Sequence, residues 1–121
     1  MPFDTLSESQ FHHIPHLEGG PPEVYFVDRF GTPKGPNTEN PLTGSMFLLE
    51  YAEVFNPPPK YMYDESGVVI KGQLIITDES GKTATCNPGD TFFIHRGSTI
   101  TFSTPKFAVA YKVAARWKDA H

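Results

Sequence analysis

The sequence predicts an all-β domain of the sandwich or barrel type. Three observations predict it. Gly (10) and Pro (12) are abundant among the 121 residues, which is unusual for a helical bundle and suits short strands joined by turns. Apolar residues make up 38% and aromatics 13%, enough for one hydrophobic core and too much for a disordered chain. Runs dense in β-formers recur at short, even spacing, with no convincing helical period between them.

Residues 1–22 read as a solvated N-terminal arm. His12, His13 and His16 lie close together there, and a His-rich tract can bind metal. Chain ends are loosely held in general, and Pro15, Pro21 and Pro22 argue against a helix. Glu23 to Val27 is the first expected strand, followed by a polar loop from Gly31 to Thr43. That loop is long enough to serve as a lid or a subunit contact. Met46 to Phe55 is expected as a second strand, stopped by Pro57, Pro58 and Pro59. A third is expected from Val68 to Thr77, with Gly72 as a bulge or bend. Asp78 to Lys82 reads as a hairpin turn, Thr83 to Cys86 as the returning strand, and Pro88-Gly89-Asp90 as a tight turn. Further strands follow at Thr91–His95, Thr99–Ser103 and Phe107–Ala114, and Ala115–His121 reads as a short helix or a frayed tail. The division is therefore an arm over 1–22, one barrel over 23–117 and a tail over 118–121.

Composition excludes several function classes. A net charge of −4 and a pI near 5.6 provide no basic face for nucleic acid. No apolar stretch approaches the length of a membrane span, and no basic-then-apolar leader opens the chain, so a cytoplasmic protein is expected. The single cysteine, Cys86, can form no intrachain disulfide, lacks a basic neighbour and reads as a structural thiol. Gly-rich phosphate loops, Gly-x-Ser-x-Gly and Cys-x-x-Cys are all missing.

Two stretches carry a family resemblance. Glu65-Ser-Gly-Val-Val-Ile-Lys-Gly72 resembles the first cupin motif, and Gly81 through Pro88-Gly89-Asp90 to Ile94-His95-Arg96-Gly97 resembles the second. With Tyr63-Asp64, Ser98, Thr101-Phe102, Thr104-Pro105 and Tyr111 through Trp117, the chain is similar to the cupin of the ethanolamine-utilisation Q family over roughly residues 46–117. The resemblance implies a single-domain cupin, a double-stranded β-helix or jelly-roll barrel. It also bears on chemistry, because a metal-binding cupin carries two His before the Glu and one after. Those positions here are Pro59, Tyr61 and Ile100, so only Glu65 remains of the four ligands. One carboxylate is a poor transition-metal site. Neither metal nor other cofactor is therefore expected. The family has been linked to acetate kinase activity and to bacterial microcompartments, but nothing in the chain has the pattern of a nucleotide-phosphate loop.

A small barrel can enclose one ligand. Aligned on the motif, Glu65 belongs on the inner wall, with Tyr61 and Tyr63 beside it as hydrogen-bond donors. Glu53, or failing that Glu50, is a candidate second inward carboxylate, and Phe93, Ile100, Phe102 and Tyr111 are candidate pocket walls. A desolvated carboxyl near a phenol makes an acid/base unit for proton abstraction, dehydration or isomerisation of a small carbonyl or phenolic compound. The leading expectation is a metal-independent lyase, isomerase or dehydratase working in the barrel pocket. The rivals are a non-catalytic small-molecule-binding cupin, an ethanolamine-utilisation-type accessory protein, and a metal enzyme with an irregular site built from Glu65, His95 and a histidine of the arm. A homodimer is the expected assembly. His95, Lys60, Trp117 and His121 read as surface, turn or tail residues.

Overall fold

The structure, a computed structural model, describes residues 3–6, 13–36 and 39–120. Eight strands follow in chain order: β1 (Val24–Gly31), β2 (Thr43–Glu50), β3 (Glu65–Gly72), β4 (Leu74–Asp78), β5 (Thr83–Cys86), β6 (Thr91–Ile94), β7 (Ile100–Ser103) and β8 (Phe107–Ala114). They form two antiparallel sheets, one in the order β1-β2-β8-β3-β6 and one in the order β5-β4-β7. There is no helix among the described residues. The fold is all-β, two antiparallel sheets around one core, as the motif resemblance implies.

Alternation decides what faces the interior. On β8, Ala108, Ala110, Lys112 and Ala114 are buried, whereas Val109, Tyr111 and Val113 on the other face are half-buried. Their neighbours across the β2 ladder are Leu49, Phe47, Ser45 and Thr43. The small alanines admit larger side chains from both sheets: Phe47, Leu49, Val69, Leu74, Ile94, Ile100 and Phe102 make one contiguous core. Phe47 and Phe102 meet there with ring centroids 5.4 Å apart. The apolar filling occupies one part of the barrel. A polar row, Asp28, Ser45 and Lys112, crosses the same inner face in register.

Several element boundaries differ from expectation. The first strand runs on past Val27 to Gly31, because Asp28 is held inside the barrel instead of ending the strand. The second runs from Thr43 to Glu50, not from Met46 to Phe55. Its ladders to β1 and β8 end near Glu50, and after the bond from Tyr51 N–H to the Lys106 carbonyl the chain leaves the sheet. The expected third strand is two strands in different sheets, β3 and β4, divided at Gly72. Gly72 has φ +74°, and a Cβ on it would stand 2.1 Å from the Phe107 carbonyl oxygen. Only glycine fits that bend. The segment after β8 is neither helical nor frayed: Lys118 N–H bonds the Thr32 carbonyl and Asp119 N–H bonds Asp28 Oδ2. His13 to Pro22 runs alongside β1, with a bridge between His16 and Tyr25. His12 and His121 lie outside the described residues.

Candidate active site

Glu65 opens β3. Its backbone pairs with Ile94 on one side and Ala114 on the other, so the residue is clamped at the centre of the larger sheet. Alternation turns its side chain inward, and it is 3% exposed. Tyr61 comes from the loop that follows β2. Its N–H bonds the Ser98 carbonyl, and its own carbonyl accepts from Gly97 N–H, which pins the loop to the β6–β7 turn. The phenol is thereby buried against Glu65. Burial, then the charge of Glu65 and hydrogen bonding to it, push the phenol well above its ordinary range, so it stays a proton donor. Tyr63 stands edge-on to Tyr61 with centroids 5.6 Å apart. Burial raises its phenol too, against the opposing charge of Arg116.

The structure thus brings Glu65, Tyr61 and Tyr63 together, with Ile100 and Phe102 in the core beside them. It does not bring in the other three expected lining residues. Phe93 points outward and is 55% exposed, resting against His95 at 4.8 Å between centroids. Phe92 and Ile94 take the inner face instead, because adjacent strand residues cannot both point inward. Tyr111 is on the outer face of β8, where it covers Gly44: a Cβ there would meet its hydroxyl at 2.1 Å. Glu53 is exposed on the loop beyond β2, and Glu50, at the strand's end, is exposed as well. No second carboxylate enters from either.

Two buried cations replace them, both absent from the sequence-based expectations. Lys112 lies with its Nζ 3.6 Å from Glu65 Oε2. Burial lowers its pKa, against the pull of Glu65. Arg116 holds Asp28 by two bonds of 2.7 Å, one from each terminal nitrogen, and Ser45 Oγ donates to the same carboxylate at 2.6 Å. Burial alone would raise the Asp28 pKa. The hydrogen bonds from Arg116, Ser45 and Asp119 N–H outweigh it and hold it at about 2. The strand parity shared by Ala108, Ala110 and Ala114 is the signal that could have placed Lys112 inside. Arg116 lies beyond the strand end, where no periodicity applies.

A groove of about 380 Å³ opens at this end of the barrel, lined by Met62, Tyr63, Asp64, His95, Arg96 and Ala115. Asp64, His95 and Ala115 each stand one residue beyond Glu65, Ile94 and Ala114, which are cross-strand neighbours. The groove therefore lies at the Glu65 end of the sheet, and Tyr63 is the one residue of the buried cluster that lines it. Asp64 Oδ1 accepts from Arg96 N–H at 2.8 Å, which fixes its rim.

The surroundings of Glu65 do not fit a divalent metal. Its near neighbours are the Tyr61 phenol and the Lys112 side chain, which add no imidazole, thiolate or second carboxylate to it. Among the described residues, no three of His, Cys, Asp or Glu converge as ligands. His13, His16 and His95 are all exposed, and His16 stacks on Tyr25 at 3.9 Å between centroids. Cys86 is buried, and burial with the charge of Asp90 raises its thiol pKa, the state of an unreactive thiol. No helix among the described residues is long and apolar enough to cross a membrane.

Comparison with known proteins agrees with this architecture. The family described as ethanolamine utilisation protein EutQ matches residues 17–119, well upstream of the resemblance seen from residue 46. Among solved structures, an ethanolamine utilization protein Q from Salmonella typhimurium LT2 superposes with a TM-score of 0.68 at 28% identity, covering 86% of this chain and 77% of that one. The EutQ protein of Clostridium difficile gives 0.67 at 29% identity, over 96% and 76%. An RmlC-like cupin from Shewanella frigidimarina gives 0.68 at 12% identity, over 97% and 95%, a likeness of fold alone. No curated protein matches the chain.

Proposed function

The chain belongs to the ethanolamine utilisation protein EutQ family, and from that membership and the buried cluster we propose a metal-independent enzyme of the lyase, isomerase or dehydratase type. Its substrate is a small carbonyl or phenolic compound. The observation that carries the reading is the burial of Glu65 between the Tyr61 phenol and the Lys112 side chain, at the end of the barrel where the groove opens. A polar group is costly to bury, and three at one point in an apolar core call for a reason beyond packing.

The roles follow from the chemistry of each group. Substrate enters through the groove past Tyr63. Glu65 removes a proton from the carbon next to the carbonyl and returns it at another position, or to a leaving hydroxyl. Negative charge then develops on the carbonyl oxygen. Tyr61, still protonated, donates a hydrogen bond to it, and the Lys112 charge stabilises it in a site where water screens little. Neither step needs a nucleotide. A structure described as of DMSP lyases shares the fold at 13% identity, a likeness of fold that carries no reaction over to this chain.

Hydrogen–deuterium exchange tests the reading without knowledge of the natural substrate. Pyruvate, 2-oxobutanoate and dihydroxyacetone are incubated with the protein in D2O, and the carbon-bound protons are followed by NMR. The expected result is exchange with at least one compound, slowed roughly 100-fold or more in Glu65→Gln. No exchange above the blank, or an unchanged rate in Glu65→Gln, would leave a binding module as the better reading.

A further inference from the structure

Lys112 is deeply buried beside Glu65. It sits on β8 at the register position between Ser45 of β2 and Gly67 of β3. The residue is 4% exposed. Its Nζ lies over three aromatic rings, 4.1 Å from the centroid of Phe47, 4.8 Å from Phe102 and 5.3 Å from Phe26. Each ring presents a negative face to the charge. The fourth side is Glu65, whose Oε2 is 3.6 Å away, close enough for charge attraction. That oxygen is buried and has no hydrogen-bond partner among the described residues. Lys112 is therefore what answers its charge.

The three rings come from three different elements, β1, β2 and β7, and they converge on one nitrogen. A lysine that merely filled space would not need them. A cage of aromatic faces plus one carboxylate is a built receptor for a cation, and here the cation is part of the chain. A metal ion bound to Glu65 would stand about 2 Å from the carboxylate oxygen, and so within about 6 Å of Nζ. Two like charges would then stand close together in a water-poor interior.

We infer that Lys112 is a resident cation that supplies the positive charge a metal would supply at Glu65 and keeps divalent metals out. The consequence concerns ligands. A caged ammonium has no open coordination positions, so Glu65 offers nothing to a molecule that needs two-point chelation by a metal. The use of the charge in turnover rests on the reaction proposed above; the charge itself does not.

The test is NMR of the full chain labelled with 15N-lysine, at pH 7. The Lys112 Nζ signal is assigned by its absence in Lys112→Met, or by through-bond correlation from the backbone if that variant does not fold. The expected result is an ammonium signal with slowly exchanging protons, shifted in Glu65→Gln, and unbroadened by one equivalent of Mn2+. A neutral amine would overturn the inference. So would paramagnetic broadening of Lys112 at one equivalent of Mn2+, because it would put the metal at Glu65. A caged ammonium in a protein that exchanges no substrate protons would sink the proposed reaction and leave this inference standing. Exchange activity in a protein whose Lys112 is neutral would do the reverse.

Discussion

Asp28 and Arg116 show how single residues set the conditions under which the barrel holds. The carboxylate is buried, doubly bonded to the guanidinium, and further bonded by Ser45 and the Asp119 N–H. It loses its proton more readily when folded than the ordinary value of 3.8, at about 2. A depressed pKa stabilises the fold above the unfolded value, and that contribution fades as pH falls through the folded one. About 2 kcal/mol is expected to disappear between pH 4 and 2. Urea denaturation across that range should show the loss in the natural sequence and a flatter profile in Asp28→Asn. Arg116→Met removes the partner and strands Asp28 in the interior, at an expected cost of about 3–5 kcal/mol by the same measurement. Adding Asp28→Asn to Arg116→Met should recover part of it, since an amide tolerates isolation better than a charge.

At the scale of elements, two glycines separate backbone strain from crowding. Gly72 and Gly81 both take left-handed φ angles, +74° and +90°. Gly81 lies in the open β4–β5 turn, where a Cβ would meet nothing within 4 Å. Gly72 divides β3 from β4 and presses on the Phe107 backbone. Gly81→Ala should cost only the strain, about 1 kcal/mol. Gly72→Ala should cost distinctly more and disturb the β3–β8 pairing, because a carbonyl in a ladder cannot swing away. Melting temperatures of the two variants check this, and equal losses would show that the contact at Gly72 relaxes freely. The hairpin turn at Asp78 holds by local chemistry: its Oδ1 accepts from Ser80 N–H, Ser80 Oγ and Lys82 N–H.

At the scale of the molecule, the barrel is closed by its last segment. Thr43 Oγ1 donates to the Arg116 carbonyl, Lys118 binds Thr32, and Lys34 lies 5.4 Å from the centre of the Trp117 ring. These contacts fasten the end of the chain to the loop between β1 and β2. A chain ending at Ala115 would lose all of them and the partner of Asp28 together. Its expected melting temperature is lower by more than about 10 °C. A shift of only a few degrees would mean that the clasp is decoration on a barrel already complete at β8.

The residues by themselves determined the strand-and-turn character of this chain, because Gly, Pro and β-branched or aromatic runs act through the local backbone. They placed β8 to the residue and β5 as well, and the cupin motifs pointed to Glu65 with Tyr61 and Tyr63. Local patterns could not say which face of a strand looks inward when both faces carry large side chains. Phe93 and Tyr111 turned outward for that reason, while Phe92 and Lys112 took the interior. Glu53 fell outside the sheet because strand length depends on partner strands, and β2 finds none beyond Glu50. The meeting of Glu65 with Lys112, and of Asp28 with Arg116, joins residues 47 and 88 positions apart. No local rule reaches that far. Only the closing of the sheets put opposite charges together, and low-dielectric burial is what made each pair matter.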